Sequence, residues 1–290
     1  MDWHYGIGVQ TSFKKKRLLK VLSLFLLLFF AFSAGNAAAY NTCSAKVVLD
    51  ADSGEVLYAE NADVRMEIAS TTKILTAICV IENADIFMQA IIPDVAVGVE
   101  GSSIYLRKGE TWRVLDLLYG LMLRSGNDAA VALALITSGS VENFAALMNE
   151  TAQKVGAANS HFTNPHGLHD DEHYSTARDM ALITAYALKC PIFAAICKTK
   201  THRYVKNGGS APEKGVFYNK NKLLYSYEAA TGVKTGYTTR SGRCLVSSAS
   251  KNGKNLVCVV LNVYDTYGVS RGLFERYFAR DDEQREGEIA

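Results

Sequence analysis

Strand-forming stretches stand at both ends of the foldable part of this chain, and that arrangement constrains its architecture more than any other feature. Near the start, "AKVVLDADSGEVLYAEN" reads as two strands, Lys46 to Asp50 and Glu55 to Glu60, joined by an Asp-Ser-Gly turn. Near the end, Thr231 to Thr239 reads as a strand, and the stretch from Cys244 to Cys258 as a hairpin turning at Asn252-Gly253. An isolated hairpin is marginal in water because its apolar face has nothing to cover it. The two ends must therefore meet. The expected fold class is α/β (α+β): an antiparallel sheet built from both chain ends, carrying a helical subdomain.

The middle of the chain supplies the helices. One should start near Ser70 and bury Ile74, Leu75, Ile78 and Cys79. "GETWRVLDLLYGLMLRSG" reads as a second helix that buries Leu115, Leu118, Leu121 and Met122 and stops at Gly126. "NDAAVALALIT" restarts at once, with Asn127 or Asp128 as cap. "VENFAALMNETAQKVGA" and "STARDMALITAYALK" follow, and "YGVSRGLFERYF" is the last helix.

The first residues have a different character. Lys14, Lys15, Lys16, Arg17 and Lys20 precede an apolar run from Val21 to Phe32, and small residues including Ala37 and Ala39 follow, the layout of an export signal. That run is shorter than the roughly 20 residues a membrane-spanning helix needs. Residues 1–39 are thus expected to be a signal peptide, with an uncleaved segment acting as a membrane tether as the alternative. Residues 40–279 are expected to form the catalytic domain and 280–290 a polar tail. The expected location is extracytoplasmic: secreted, or at the outer face of the membrane within the cell wall. Without residues 1–39, 26 basic side chains face 28 acidic ones, so no nucleic-acid partner is expected. Six cysteines in an exported chain raise the question of disulfides. A two-residue turn at Asn252-Gly253 sets Cys258 opposite Ser247, which turns Cys244 to the other face and forbids a Cys244–Cys258 bridge. Cys190 and Cys197, either side of Pro191, read as small buried thiols.

Three short motifs carry chemistry. In "IASTTKIL", Ser70 and Lys73 are one helical turn apart at a helix start, where the partial positive charge favours an alkoxide and disfavours an ammonium. A lysine driven toward neutrality can take the serine's proton. In "RSGND", Ser125 and Asn127 share a tight turn between helices. In "TGVKTGYTT", Lys234 stands on a strand flanked by glycines. Ser-x-x-Lys and Ser-x-Asn each arise about once by chance in a chain of this length, whereas Lys-Thr-Gly arises on the order of a tenth of a time. All three in this order form the set found in active-site-serine β-lactamases and penicillin-binding proteins.

The likeness extends through "VVLDADSGEVLYAENAD", "EGSSIYLRKGE", "LLYGLMLRSGNDAAVALA", "NPHGLHDDEHYSTARDMA" and "NKLLYSYEAATGVKTGYTTRSGRCLVSSA". Together these resemble the serine-type D-alanyl-D-alanine carboxypeptidases, the low-molecular-mass penicillin-binding proteins. The resemblance implies removal of the terminal D-alanine from peptidoglycan stem peptides ending in D-Ala-D-Ala, no cofactor, and covalent inhibition by β-lactams. It implies Ser70 as nucleophile, Lys73 as general base and Ser125 as proton relay. Asn127 would hold Lys73 and the substrate amide. Lys234 and the Thr235 hydroxyl would bind the terminal carboxylate, and the backbone N–H groups of Ser70 and Tyr237 would form the oxyanion hole. Many family members continue into a second β-rich domain and an amphipathic C-terminal anchor. Neither is found in this sequence, so attachment through the C-terminus is not expected.

Three rivals differ in what they require. A class A β-lactamase needs a Glu-x-x-Leu-Asn segment between Asn127 and Lys234, and none is present. A metallopeptidase could use His161, His166, His169 and His173 with Asp170, Asp171 and Glu172, although no C-x-x-C spacing occurs and the expected metal is none. A non-catalytic penicillin-binding module would need one motif broken, and none is.

Overall fold

The computed structural model describes residues 43–209 and 211–289, with side chains up to 282. The expected signal segment, residues 1–39, lies outside the described residues. Five strands form one antiparallel sheet: β1 (Ala45–Asp50), β2 (Val56–Glu60), β7 (Ala230–Thr238), β8 (Gly242–Lys251) and β9 (Lys254–Leu261), in the order β2-β1-β9-β8-β7. Strands from the two ends meet where β1 pairs with β9, from Ala45↔Leu261 to Asp50↔Leu256. The alternation of apolar residues explains the two-sided burial. Val47, Leu49, Val246, Val257 and Val259 face the helical block, while Val48, Leu245, Leu256 and Val260 face Phe274, Tyr277 and Phe278 of the last helix. The hairpin register sets Ser247 opposite Cys258, and Cys244 and Cys258 lie in different cores on opposite faces. All six cysteines are free thiols.

The helical block contains α1 (Lys73–Asn83), α2 (Val114–Tyr119), α3 (Asn127–Ser138), α4 (Val141–Lys154), α5 (Ala177–Leu188) and α6 (Pro191–Lys198). A short α7 (Leu223–Ser226) precedes β7, and α8 (Thr266–Ile289) closes the described chain. The α1 helix carries a fully apolar stripe, and Ile74, Leu75, Ile78 and Cys79 are buried as their spacing predicts. Among the described residues no single helix is long and apolar enough to cross a membrane.

Four expectations need correction. Strand-like segments are expected from about Thr201, but not their assembly into a second, four-stranded sheet of β3 (Gln89–Ile91), β4 (Thr111–Arg113), β5 (Thr201–Asn207) and β6 (Glu213–Tyr218). Its β4 takes the first residues expected to be helical. Trp112 is drawn into a ring stack with Tyr204 at 4.8 Å, and pairing with β3 and β5 satisfies the backbone that a helix would otherwise have bonded. The shortened helix leaves Leu115 half-buried rather than in the core. Neither Asn127 nor Asp128 caps α3: Gly126 occupies the cap, because both side chains are recruited elsewhere. Finally, the last helix, expected to end at Phe278, runs on as α8 to Ile289. Lys254 and Lys251 of the hairpin each hold a carboxylate, Asp281 and Asp282, at 2.7 Å, which docks that turn of helix.

Candidate active site

Three segments converge at the open edge of the five-stranded sheet. The first is a 3₁₀ turn, Ala69–Thr72, that feeds directly into α1 at Lys73. Ser70 lies in that turn rather than in the α-helix itself, and its three-residue offset still sets Lys73 Nζ 3.0 Å from Ser70 Oγ. The second is the turn after α2, where a π-helical segment, Gly120–Arg124, ends on Ser125 in the left-handed region at φ +66°. Single π turns interrupt helices at sites that need a side chain re-aimed. The third is β7, the edge strand. Lys234 pairs with Val246 and so points to the face covered by helices.

The structure brings these residues together as two hydrogen-bonded groups, Ser70–Lys73–Asn127 and Ser125–Lys234, close enough for the charge of Lys234 to act on Lys73. Lys73 Nζ is 2.7 Å from Asn127 Oδ1 and 2.6 Å from the His166 carbonyl. Asn127 is oriented in turn by its Nδ2, which donates to the Glu100 carbonyl at 2.5 Å. Lys234 Nζ donates to Ser125 Oγ at 3.0 Å and to the Thr235 carbonyl at 2.8 Å. No described residue bonds the Thr235 hydroxyl, which leaves it available to a ligand. Tyr237 lies one residue past Gly236, and Gly236 touches the Ser70 turn. A Cβ on Gly236 would lie 3.0 Å from Ile68 O and 3.2 Å from Ser70 N. The glycine of the motif is there for clearance.

Two lysine amines are almost wholly buried here, Lys73 at 0% and Lys234 at 2% exposure. Burial, and next the positive charge of Lys234, hold Lys73 well below the usual lysine range, with Asp128 as the opposing influence. Burial and Lys220 bring Lys234 down to about 7. The hydrogen bonds of Lys73 then acquire a direction. A neutral amine has two N–H groups and one lone pair. The Asn127 amide oxygen and the His166 carbonyl can only accept, so they take the two N–H groups. The lone pair is left for the Ser70 hydroxyl proton, which is the arrangement of a nucleophile beside its base.

Several contributors carry no motif. Asp128, 1% exposed, accepts from the backbone N–H of Ile104 and Leu106 at 3.1 Å and from Ser103 Oγ at 2.6 Å. It thereby builds the loop beside Asn127, and its charge opposes the lowering of the Lys73 pKa. Lys220, exposed, adds a third cation and reaches Ser102 Oγ at 3.4 Å. No spacing rule marks a lysine between two asparagines as close to this pocket.

The four histidines do not converge. His161 Nδ1 meets the Glu172 carbonyl at 2.6 Å, and His166 Nδ1 accepts from Leu168 N at 3.1 Å. His169 sits 3.0 Å from Glu67, and His173 spans Thr72 Oγ1 at 2.9 Å and Thr163 N at 3.1 Å. Burial lowers His166 to about 3 and His173 to about 4, so both are neutral at physiological pH. Among the described residues no group of three or more His, Cys, Asp or Glu is arranged to hold a metal ion. These side chains instead brace the loop that presents the His166 carbonyl to Lys73. At Gly167 that loop presses on the nucleophile turn, since a Cβ there would fall 1.9 Å from Ala69 O.

Comparison with known proteins points to a single family. The family model of peptidase S11, D-alanyl-D-alanine carboxypeptidase, matches residues 33–265. D-alanyl-D-alanine carboxypeptidase DacF of Bacillus subtilis is 38% identical over 260 residues, covering 84% of this chain and 66% of its own length. The D-alanyl-D-alanine carboxypeptidase of a Streptomyces species is 38% identical over 222 residues, covering 72% of this chain and 76% of its own. The chain thus spans about two thirds to three quarters of these relatives. Among solved structures, the Streptomyces K15 DD-transpeptidase superposes with a TM-score of 0.71 at 33% identity, over 77% of this chain and 92% of that one. The D-alanyl-D-alanine carboxypeptidase DacD of Francisella tularensis gives 0.73 at 27% identity, over 83% and 71%.

Proposed function

The chain belongs to the peptidase S11 family of D-alanyl-D-alanine carboxypeptidases, and we propose that it removes the terminal D-alanine from peptidoglycan stem peptides ending in D-Ala-D-Ala. The observation that carries this reading is the Lys73 amine, 3.0 Å from Ser70 Oγ, with acceptors that cannot donate as its other two partners.

The chemistry follows from that polarity. Lys73 takes the Ser70 proton as Oγ attacks the carbonyl carbon of the penultimate D-alanine. The oxyanion is held by the backbone N–H groups of Ser70 and Tyr237, each worth roughly 3 kcal/mol by analogy with other hydrolases. The C–N bond then breaks. Ser125 gives its proton to the departing D-alanine amine and takes back the one held by Lys73, which returns Lys73 to its neutral form, and the acyl group remains as an ester on Ser70. Asn127 holds Lys73 and the substrate amide. Lys234 and the Thr235 hydroxyl bind the terminal carboxylate. That carboxylate favours the charged form of Lys234, and the charge so retained keeps Lys73 neutral. Water attacks the ester with Lys73 again as base. A β-lactam enters the same route and leaves a long-lived penicilloyl ester, because its leaving group stays attached.

The substrate is outside the cytoplasm, so the enzyme acts there. Residues 1–39 would carry it out as a cleaved signal, or remain as an N-terminal tether. Intact-mass spectrometry after penicillin treatment tests the assignment. Wild type should gain one penicilloyl adduct on Ser70, and the Ser70→Ala variant should gain none and release no D-alanine. Labelling retained at another residue would overturn the mechanism.

A further inference from the structure

Glu67 stands three residues before Ser70, on the strut that leads into the nucleophile turn. Its neighbour Met66 is fixed by a two-way backbone bridge to Ser175, at 2.8 and 3.1 Å. The Glu67 residue is 8% exposed, and its Oε1 accepts from Arg240 Nε at 2.7 Å and lies 3.0 Å from His169 Nδ1. Arg240 stands three residues after Tyr237, in the turn from β7 to β8. That turn is itself knotted by Thr238 and Ser241, whose hydroxyls and backbone N–H groups bond one another at 2.9 to 3.0 Å. The two segments also touch at Gly236.

We infer that Glu67 is a positioning residue for acylation: through Arg240 it latches the end of β7 to the nucleophile turn and so sets the gap between the Ser70 and Tyr237 N–H groups. This rests on the assignment of those two groups as the oxyanion hole. The physical need is plain. β7 is an edge strand, paired with β8 as far as Thr238↔Gly242 but with no strand on its outer side, so the sheet alone does not fix its distance from the nucleophile turn. Donors in an oxyanion hole act only when held about 2.7–3.1 Å from the developing charge. The Arg240 side chain is half-exposed, but Glu67 is buried and accepts a charge-assisted bond, stronger than a neutral one. The carboxylate touches no substrate. It acts through the backbone it ties, on the step where charge appears on the carbonyl oxygen.

The test is a cycle of Glu67→Ala, Arg240→Ala and the double variant, with Glu67→Gln as the conservative control. Acylation is followed by stopped flow with a fluorescent penicillin, and each preparation is normalised to its penicillin-titratable sites. The latch predicts a loss of about tenfold to a hundredfold in the acylation rate for each single variant. KM for a D-Ala-D-Ala peptide should move less than threefold. The double variant should be no worse than the worse single one, and Glu67→Gln should recover most of the rate. Matched ester and thionoester substrates separate this inference from its premise, since sulfur fits an oxyanion hole poorly. If wild type shows no penalty for the thionoester, the oxyanion assignment fails. If wild type shows the penalty but Glu67→Ala acylates at the wild-type rate per titrated site, the latch alone is refuted. Losses that multiply in the double variant would also refute it.

Discussion

Replacing Gly236 by alanine tests the packing that brings the strand to the nucleophile. The added Cβ would lie 3.0 Å from Ile68 O, 3.2 Å from Ala69 Cβ and 3.2 Å from Ser70 N, against ordinary contacts of 3.4–4 Å. None of these neighbours is the end of a flexible side chain. The strand must therefore back away by a few tenths of an ångström. Overpacking of this kind costs roughly 1–3 kcal/mol. An edge strand can yield, so the stability loss should sit near the low end, about 1 kcal/mol. Catalysis should suffer more. Removing one oxyanion donor outright costs about 10²–10³ in rate, so stretching the pair should slow acylation by about tenfold to a hundredfold. Stopped-flow acylation with a fluorescent penicillin, beside a thermal melt of the same sample, reads both quantities. A folded variant acylating within twofold of wild type would refute the idea that this contact sets the donor spacing.

Other outcomes follow from the buried lysines and their partners. Lys234→Met should raise KM for carboxylate-bearing substrates and slow acylation, yet stabilise the fold near neutral pH by roughly 1–4 kcal/mol, because a buried cation is replaced by an apolar chain. The sign is fixed by the depressed pKa. Between about 7 and the ordinary lysine range the unfolded chain binds more protons than the folded one, so wild-type stability climbs with pH there. The advantage of the variant should shrink across that window in melts taken from pH 7 to 10. Asn127→Ala removes one of the two acceptors that orient the Lys73 lone pair. An unmet buried donor costs about 1–3 kcal/mol, and a loss of that order in acylation, about fivefold to a hundredfold, is expected from the same stopped-flow assay. Chelator treatment should leave D-alanine release unchanged, and loss of activity that added zinc restores would revive a metal role for the histidine loop.

Much of this fold could be read from periodicity. The β1–β9 junction follows from two strand-forming ends that cannot be stable apart, and the Ser247–Cys258 register follows from the Asn252-Gly253 turn. Strand character from about Thr201 was legible, but the second sheet was not, because β3 and β4 have only three residues each and come from a distant segment, and "TWR" precedes a strong helical pattern that overwhelms it. The helical reading also missed the π turn, which depends on backbone bonds rather than on composition. At the site, Lys234 stands out through the rarity of Lys-Thr-Gly, and Ser70, Lys73, Ser125 and Asn127 through the order of the three motifs and the family likeness. Glu67, Asp128, Arg240, Lys220 and the His166 carbonyl act through tertiary contacts or the main chain, and side-chain identity alone does not reveal them. The histidine run shows the converse, since it looks like a ligand set in sequence yet spreads to separate partners once the loop is folded.

The account stands on an uncharged amine at Lys73. Lysine side chains labelled with ¹³C and ¹⁵N, assigned against a Lys73→Arg variant, report the protonation of that amine directly through the pH dependence of the Cε and Nζ shifts. A signal already in the neutral-amine position near pH 8, moved toward the charged position only on acidification, is the predicted result. An ammonium signal that persists until about pH 10, as for a solvated lysine, would contradict the mechanism.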